Sequence, residues 1–191
     1  MIKSLKHLRH NLIRKVVIPF LPTKKFSEGY VVPKVKKFDH QYEKNGEIVS
    51  IECWYQNVDK MTEMLVAEKL TELKVKPKEV HEIDFVLGGD HGKEAFRLCF
   101  RVVITLDNGT MHYVEYGGAG TVFGKDTTEV LEKSIMPWLT EDLRNMHESK
   151  FVIQEPDADG VIVCSFQRDD LDAADLTSHV IEHVELYNTG D

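Results

Sequence analysis

Cysteine is scarce in this 191-residue chain, and the three that occur, Cys53, Cys99 and Cys164, are odd in number, far apart and without a C-x-x-C pair. That excludes a disulfide framework and a structural zinc cluster, and reduced, mostly buried thiols are expected. Long apolar runs are also missing. None approaches the roughly 18 residues of a membrane span, and residues 16–21 are interrupted by Pro19 and too short for a secretory signal core. A soluble, intracellular protein, nuclear or cytoplasmic and without a membrane partner, is expected. Internal repeats, low-complexity tracts and heptad series are absent as well, which excludes solenoid and coiled-coil architectures. With 42% apolar residues, the chain has enough to bury a full core, as one domain with an extension.

What the chain does have is charge of one sign gathered at one end. Residues 1–38 hold Lys3, Lys6, Arg9, Arg14, Lys15, Lys24, Lys25, Lys34, Lys36 and Lys37 against a single acid, Glu28, a net +9 that leaves −17 for the remainder of a total of −8. These ten cations are candidate DNA-binding residues, since Lys and Arg neutralise phosphates without reading sequence. The alternative is a solvated arm that folds back on its own acidic body. Within the arm, Ile2, Leu5, Leu8 and Leu12 recur near helical spacing, and Pro19, Pro22 and Pro33 break the rest of it into an irregular connector. The expected division is a basic N-terminal arm over 1–40 and a folded domain over 41–191.

Periodicity supplies the order of elements in the body. Asn45-Gly46 predicts a hairpin turn before an alternating strand over 48–54, and a helix over 56–73 carries Val58, Met61, Leu65, Val66, Leu70 and Leu73 on one face. Strands over 83–90 and 95–106 come next, and Asp107-Asn108-Gly109 predicts a second hairpin into a strand over 111–116. Residues 117–124 read as a glycine-rich loop. Asp126-Thr127-Thr128-Glu129 has capping-box spacing and starts a helix that Pro137 should kink or divide. Strands over 151–153 and 161–166 flank the turn at Asp157–Gly160, and a last strand over 184–187 leads to Asp191. Trp54 and Trp138 read as core aromatics, and Met61 with Met64 as core filling.

Two of these strands deliver acids. Ile83-Asp84-Phe85-Val86-Leu87 ends in Gly88-Gly89-Asp90, and Thr189-Gly190-Asp191 comes after the last strand. Asp90 and Asp191 are therefore candidate catalytic residues and candidate ligands of a divalent metal. The alternative is that both are ordinary acids in turns after strands. His91 could contact a phosphate or support the metal site, or stand solvated.

Three consecutive strands, a helix and a further strand, with acids on the first and last, resemble the core of the RNase-H-like DDE transposase and integrase superfamily. Leu87-Gly88-Gly89-Asp90-His91-Gly92, Phe96-Arg97, Gly124-Lys125-Asp126-Thr127 and Thr189-Gly190-Asp191 are similar to uncharacterised proteins encoded by animal transposable elements, which in turn resemble the catalytic core of the V(D)J recombinase. The resemblance covers about residues 45–191. It implies an α/β fold, an RNase-H-like mixed sheet with a basic N-terminal extension, whose first and fourth strands are adjacent and parallel. It further implies Mg²⁺ or Mn²⁺ held by Asp90 and Asp191, two-metal phosphodiester cleavage or strand transfer, and DNA as partner of a homo-oligomer. The family's third acid lies further downstream, and no residue comes after Asp191. The expectation is thus a truncated or repurposed DDE-type core, inactive or weakly active. A non-catalytic DNA- or protein-binding module that uses the basic arm is the alternative.

Two further motifs are weaker. His179-Val180-Ile181-Glu182-His183 matches the H-x-x-E-H zinc-peptidase pattern, which needs one helix to bring both imidazoles to the metal. Gly118-Ala119-Gly120 with Gly124-Lys125 evokes a phosphate loop, but Ala119 and Asp126 break the required spacing.

Overall fold

Two short turns set the register of the main sheet. Asn45 and Gly46 both take positive φ, 54° and 80°, the primed turn whose twist matches flanking antiparallel strands, and they join β1 (Lys36–Lys44) to β2 (Glu47–Tyr55). At the second turn Gly109 takes φ 79°. The Thr110 amide donates to Asn108 Oδ1 at 2.9 Å, and this turn joins β4 (Ala95–Leu106) to β5 (Met111–Phe123). The computed structural model describes residues 33–91, 95–123, 128–168, 179–182 and 185–188.

With β3 (Val80–His91) and β9 (Glu185–Asn188), these strands form a six-stranded sheet in the order β1-β2-β5-β4-β3-β9. Neighbours pair antiparallel from β1 through β3, and β9 alone runs parallel, on β3. The fold is therefore mixed α/β on a largely antiparallel, curled sheet. Alternation along each strand sorts the side chains. Ile51, Cys53 and Tyr55 of β2, Ile83 and Phe85 of β3, and Leu98, Phe100, Val102 and Ile104 of β4 are buried, whereas Trp54, Arg97 and Arg101 between them are exposed.

The buried face is covered by α1 (Val58–Leu73), whose Val58, Met61, Leu65, Val66 and Leu70 are fully buried, and by α2 (Thr128–Lys133) and α3 (Met136–His147). Pro137 divides these last two helices. It sits in the first turn of α3, where its missing N–H costs no helical bond. A smaller antiparallel sheet, β7-β6-β8, is built from β6 (Lys150–Ile153), β7 (Cys164–Gln167) and β8 (His179–Ile181). It is tied to α1, because the Phe166 amide donates to Glu63 Oε1 at 2.8 Å and the Ile162 amide to Thr71 Oγ1 at 3.0 Å.

Several sequence expectations change here. The boundary near residue 40 falls inside β1, so Lys36 and Lys37 belong to a paired strand. Residues 117–123 are strand, because β5 pairs with β4 as far as Phe123 and with β2 as far as Val122. The glycines instead absorb a bulge, in which pairing jumps from Leu98 with Gly120 to Phe100 with Tyr116. Trp54 and Trp138 are 39% and 43% exposed rather than core. His179–Ile181 is a strand, so the single helix that H-x-x-E-H requires is not formed, and His183 lies outside the described residues. The helical reading of residues 2–12 also lies outside them.

Candidate functional site

β3 brings Asp90 to its end of the sheet through a tightly packed step. An added Cβ on Gly89 would meet Cε2 and Cζ of Phe96 at 2.7 Å, so any larger residue would push aside the aromatic ring of β4 that lies across the strand there. Asp90 and His91 then pair with Arg97 and Phe96. On the other edge of β3, the parallel partner β9 sets Asp84 opposite Glu185, Phe85 opposite Leu186, Val86 opposite Tyr187 and Leu87 opposite Asn188. Leu87 and Asn188 each precede an acid, Asp90 and Asp191, by three residues. Asp191 itself lies outside the described residues.

The register continues in a line across the sheet. Asp90 stands opposite Arg97, Arg97 opposite Thr121, Thr121 opposite Trp54 and Trp54 opposite Lys37. Trp54 meets Phe123, 38% exposed, edge-on with ring centroids 5.6 Å apart. Glu52 fixes the other side of the indole, accepting from Trp54 Nε1 at 2.7 Å and pairing with Lys37 Nζ at 2.8 Å. The hydrogen bond from Lys37 holds the Glu52 carboxyl below its ordinary range. Beside this line a groove of about 430 Å³ opens over the bulge, lined by Gly88, Cys99, Phe100, Arg101, Glu115 and Tyr116.

Comparison with known proteins brings no relative to this arrangement: no family model, no curated protein and no solved structure matches the chain.

The basic arm is placed only at its end. Lys3, Lys6, Arg9, Arg14, Lys15, Lys24 and Lys25 lie outside the described residues, and Lys34 is exposed. Lys36 Nζ sits 4.1 Å from the centroid of the Trp138 ring, and Lys37 Nζ 5.6 Å from that of Trp54, so both ammonium groups rest on aromatic faces of the body. Among the described residues, no group of three or more His, Cys, Asp or Glu side chains is placed to hold a metal ion. No helix among them is long and apolar enough to cross a membrane. Cys53 and Cys164 are buried and Cys99 half-buried, all three as free thiols. Burial raises the thiols of Cys53 and Cys164, which leaves them poor nucleophiles.

The carboxylates with raised pKa lie on the helical side, away from the Asp90 line. Asp142 of α3 accepts from Tyr55 Oη at 2.6 Å, from the Val58 amide at 2.7 Å and from Asn57 Nδ2 at 3.1 Å. It thereby caps the N-terminus of α1 from another helix. Burial, reinforced by the charge of Asp59, raises the Asp142 carboxyl above its ordinary value, and burial likewise raises Glu63. These groups bind helix to helix and helix to the second sheet. The donors are Tyr55, Val58 and Asn57 for Asp142 and Lys60 and Phe166 for Glu63.

Sequence reasoning singled out Asp90 and noted Arg97 only as part of the Phe96-Arg97 motif, without a role beside Asp90, and it missed Phe123 and the exposure of Trp54. The signal for Trp54 was present in the alternation Ile51, Cys53, Tyr55, whose even-numbered neighbours face the other way. Its alignment with Thr121 was not readable, because β2 and β5 are far apart in sequence.

Proposed function

We propose that the chain carries a DDE-type core for metal-assisted phosphodiester chemistry, with Asp90 and Asp191 as carboxylates of one divalent-metal site. The observation that carries this reading is the parallel pairing of β3 with β9, in which Leu87 and Asn188 face each other three residues before the two acids. An RNase-H-like sheet has its first and fourth strands adjacent and parallel. The succession β3, β4, β5, helices, β9, with β3 between β4 and β9, supports that assignment. Carboxylate oxygens are the donors that Mg²⁺ and Mn²⁺ take. A bound ion would polarise a phosphoryl oxygen and lower the pKa of an attacking water. The chain's own contribution is to hold the acid-bearing strands about 4.8 Å apart and to set the Arg97 position beside Asp90. Calorimetric titration with Mn²⁺ tests it: saturable binding to the wild type and its loss in Asp90→Asn are expected, and equal binding by both would remove the assignment.

The charge asymmetry of the chain favours a second reading, a DNA-binding module that works through the basic arm without catalysis. Because Lys36 and Lys37 belong to β1, the suitable test neutralises Lys3, Lys6, Arg9, Arg14, Lys15, Lys24 and Lys25 to glutamine rather than deleting the segment. Salt-dependent DNA binding should then fall steeply. Binding that persists unchanged would sink this reading.

A further inference from the structure

We infer that the exposed row Lys37, Trp54, Phe123 and Arg97 is a stacking platform for unpaired nucleobases, which leads a single strand of nucleic acid across the sheet toward Asp90. Direct cross-strand neighbours share a face, and the register puts Lys37, Trp54, Thr121 and Arg97 on one line that ends at Asp90. At one strand spacing per step the line is about 19 Å long, the length of a few nucleotides. Large aromatics on a sheet normally turn inward, yet Trp54 and Phe123 are 39% and 38% exposed. They are held in place rather than loose, since Phe123 packs edge-on against the indole and Glu52 grips its Nε1.

The chemistry selects the occupant. Lys37 Nζ lies over the indole, 5.6 Å from its centroid, where an arriving base would displace it toward a phosphate, and Arg97 stands on the same line of the register; rings and cations in one row match a polymer that alternates π-surfaces with phosphates. The faces of bases in a duplex are already stacked on one another, so exposed rings, here set at 68° to each other, select unpaired strands whose bases can turn to meet them. Lys37 is partly neutralised by Glu52, and the chain beyond residue 38 is acidic. Attraction at this face therefore comes chiefly from stacking, and phosphate neutralisation is left to few groups. The inference rests on the phosphodiester-chemistry reading for its direction toward Asp90. Stacking itself needs no metal, so a test in EDTA separates its failure from failure of the metal site.

The experiment uses the full chain with Trp138→Phe, which leaves Trp54 as the only tryptophan. Oligothymidylate or oligouridylate of about twelve nucleotides is titrated in EDTA while indole fluorescence is monitored. Saturable quenching is expected, with DNA and RNA distinguished by which strand binds tighter. By competition, Trp54→Ala and Phe123→Ala should each weaken binding to single strands by about tenfold and leave binding to a paired duplex unchanged, while Trp54→Phe should retain most of the affinity. That tenfold ratio should hold between about 0.1 and 0.5 M salt, because contacts of the basic arm weaken with salt and stacking does not. Melting of each variant checks that the fold is kept, and Trp54→Phe, which keeps a ring at the site, separates lost stacking from lost packing. Absence of quenching, alanine variants that bind single strands like the parent, or an equal loss on duplex would each overturn the inference.

Discussion

Leu87 of β3 lies directly opposite Asn188 of β9, and the two strands run in the same direction. Every other pairing in the six-stranded sheet is antiparallel. A parallel neighbour cannot be reached by a tight turn and needs a long crossover, here the whole stretch from α2 through β8. That crossover sets the strand that precedes Asp191 beside the strand that precedes Asp90. Neither acid alone makes a metal site; the pairing of their strands is what gives the proposed chemistry its physical basis.

Asp142 ties α3 to the N-terminus of α1 and to Tyr55, beside the hydrogen bond from Asn145 Nδ2 to Asp59 Oδ2 at 2.8 Å, and its removal should be costly. Asp142→Ala leaves Tyr55 Oη and Asn57 Nδ2 without their acceptor and uncaps α1 at Val58. A loss of about 2–4 kcal/mol in urea unfolding is expected. Asp142→Asn keeps one acceptor oxygen and should cost less. A cost within about 0.5 kcal/mol for the alanine variant would show that the cap does not hold the helices together.

The buried acids give stability a definite pH dependence. Burial raises Asp142 and Glu63 in the folded protein, so the folded state keeps protons that the unfolded chain releases near pH 4. Their contribution is present in full below the ordinary carboxylate pKa and is lost as pH rises through the raised values. Glu63→Gln should therefore gain on the wild type as pH is raised from about 4 to 7, measured as the difference between their melting temperatures at each pH. A difference that stays flat or moves the other way would show that Lys60, 2.7 Å from Glu63 Oε1, outweighs burial.

Gly89 accepts a methyl group only if the Phe96 ring moves. In Gly89→Ala the new carbon meets the far end of that ring at 2.7 Å, and turning the ring out of its rotamer should cost about 0.5–1.5 kcal/mol. Combining it with Phe96→Leu, which removes the ring, should recover part of that loss. If the double variant is as destabilised as the sum of the single ones, the clash with Phe96 is not the cause.

Much of the fold was legible because its signals are local. Asn45-Gly46 and Asn108-Gly109 mark hairpins through backbone conformations that few residues adopt, and Pro137 can begin a helix but not continue one. Residues 117–123 were misread because glycines report conformational freedom, whereas β4 and β2 decide whether that freedom becomes a loop or a bulged strand. Trp54 and Trp138 were misread because size alone predicts burial. The face each presents depends on which neighbours its element packs against, with Trp54 on the outer face of β2 and Trp138 beside Phe38, ring centroids 6.4 Å apart. The candidate acids were visible as glycine-preceded aspartates at strand ends, but only pairing of strands distant in sequence could relate one to the other.

The central claim is that Asp90 holds a divalent ion, and melting of the wild type and Asp90→Ala with and without Mg²⁺ or Mn²⁺ tests it most directly. An ion that binds only the folded chain stabilises it by about 1.4 kcal/mol at ten times its dissociation constant, a rise of roughly 3–5 °C for a chain of this size. The account predicts that rise in the wild type and its loss in Asp90→Ala. No rise in the wild type, or an equal rise in both proteins, would contradict it.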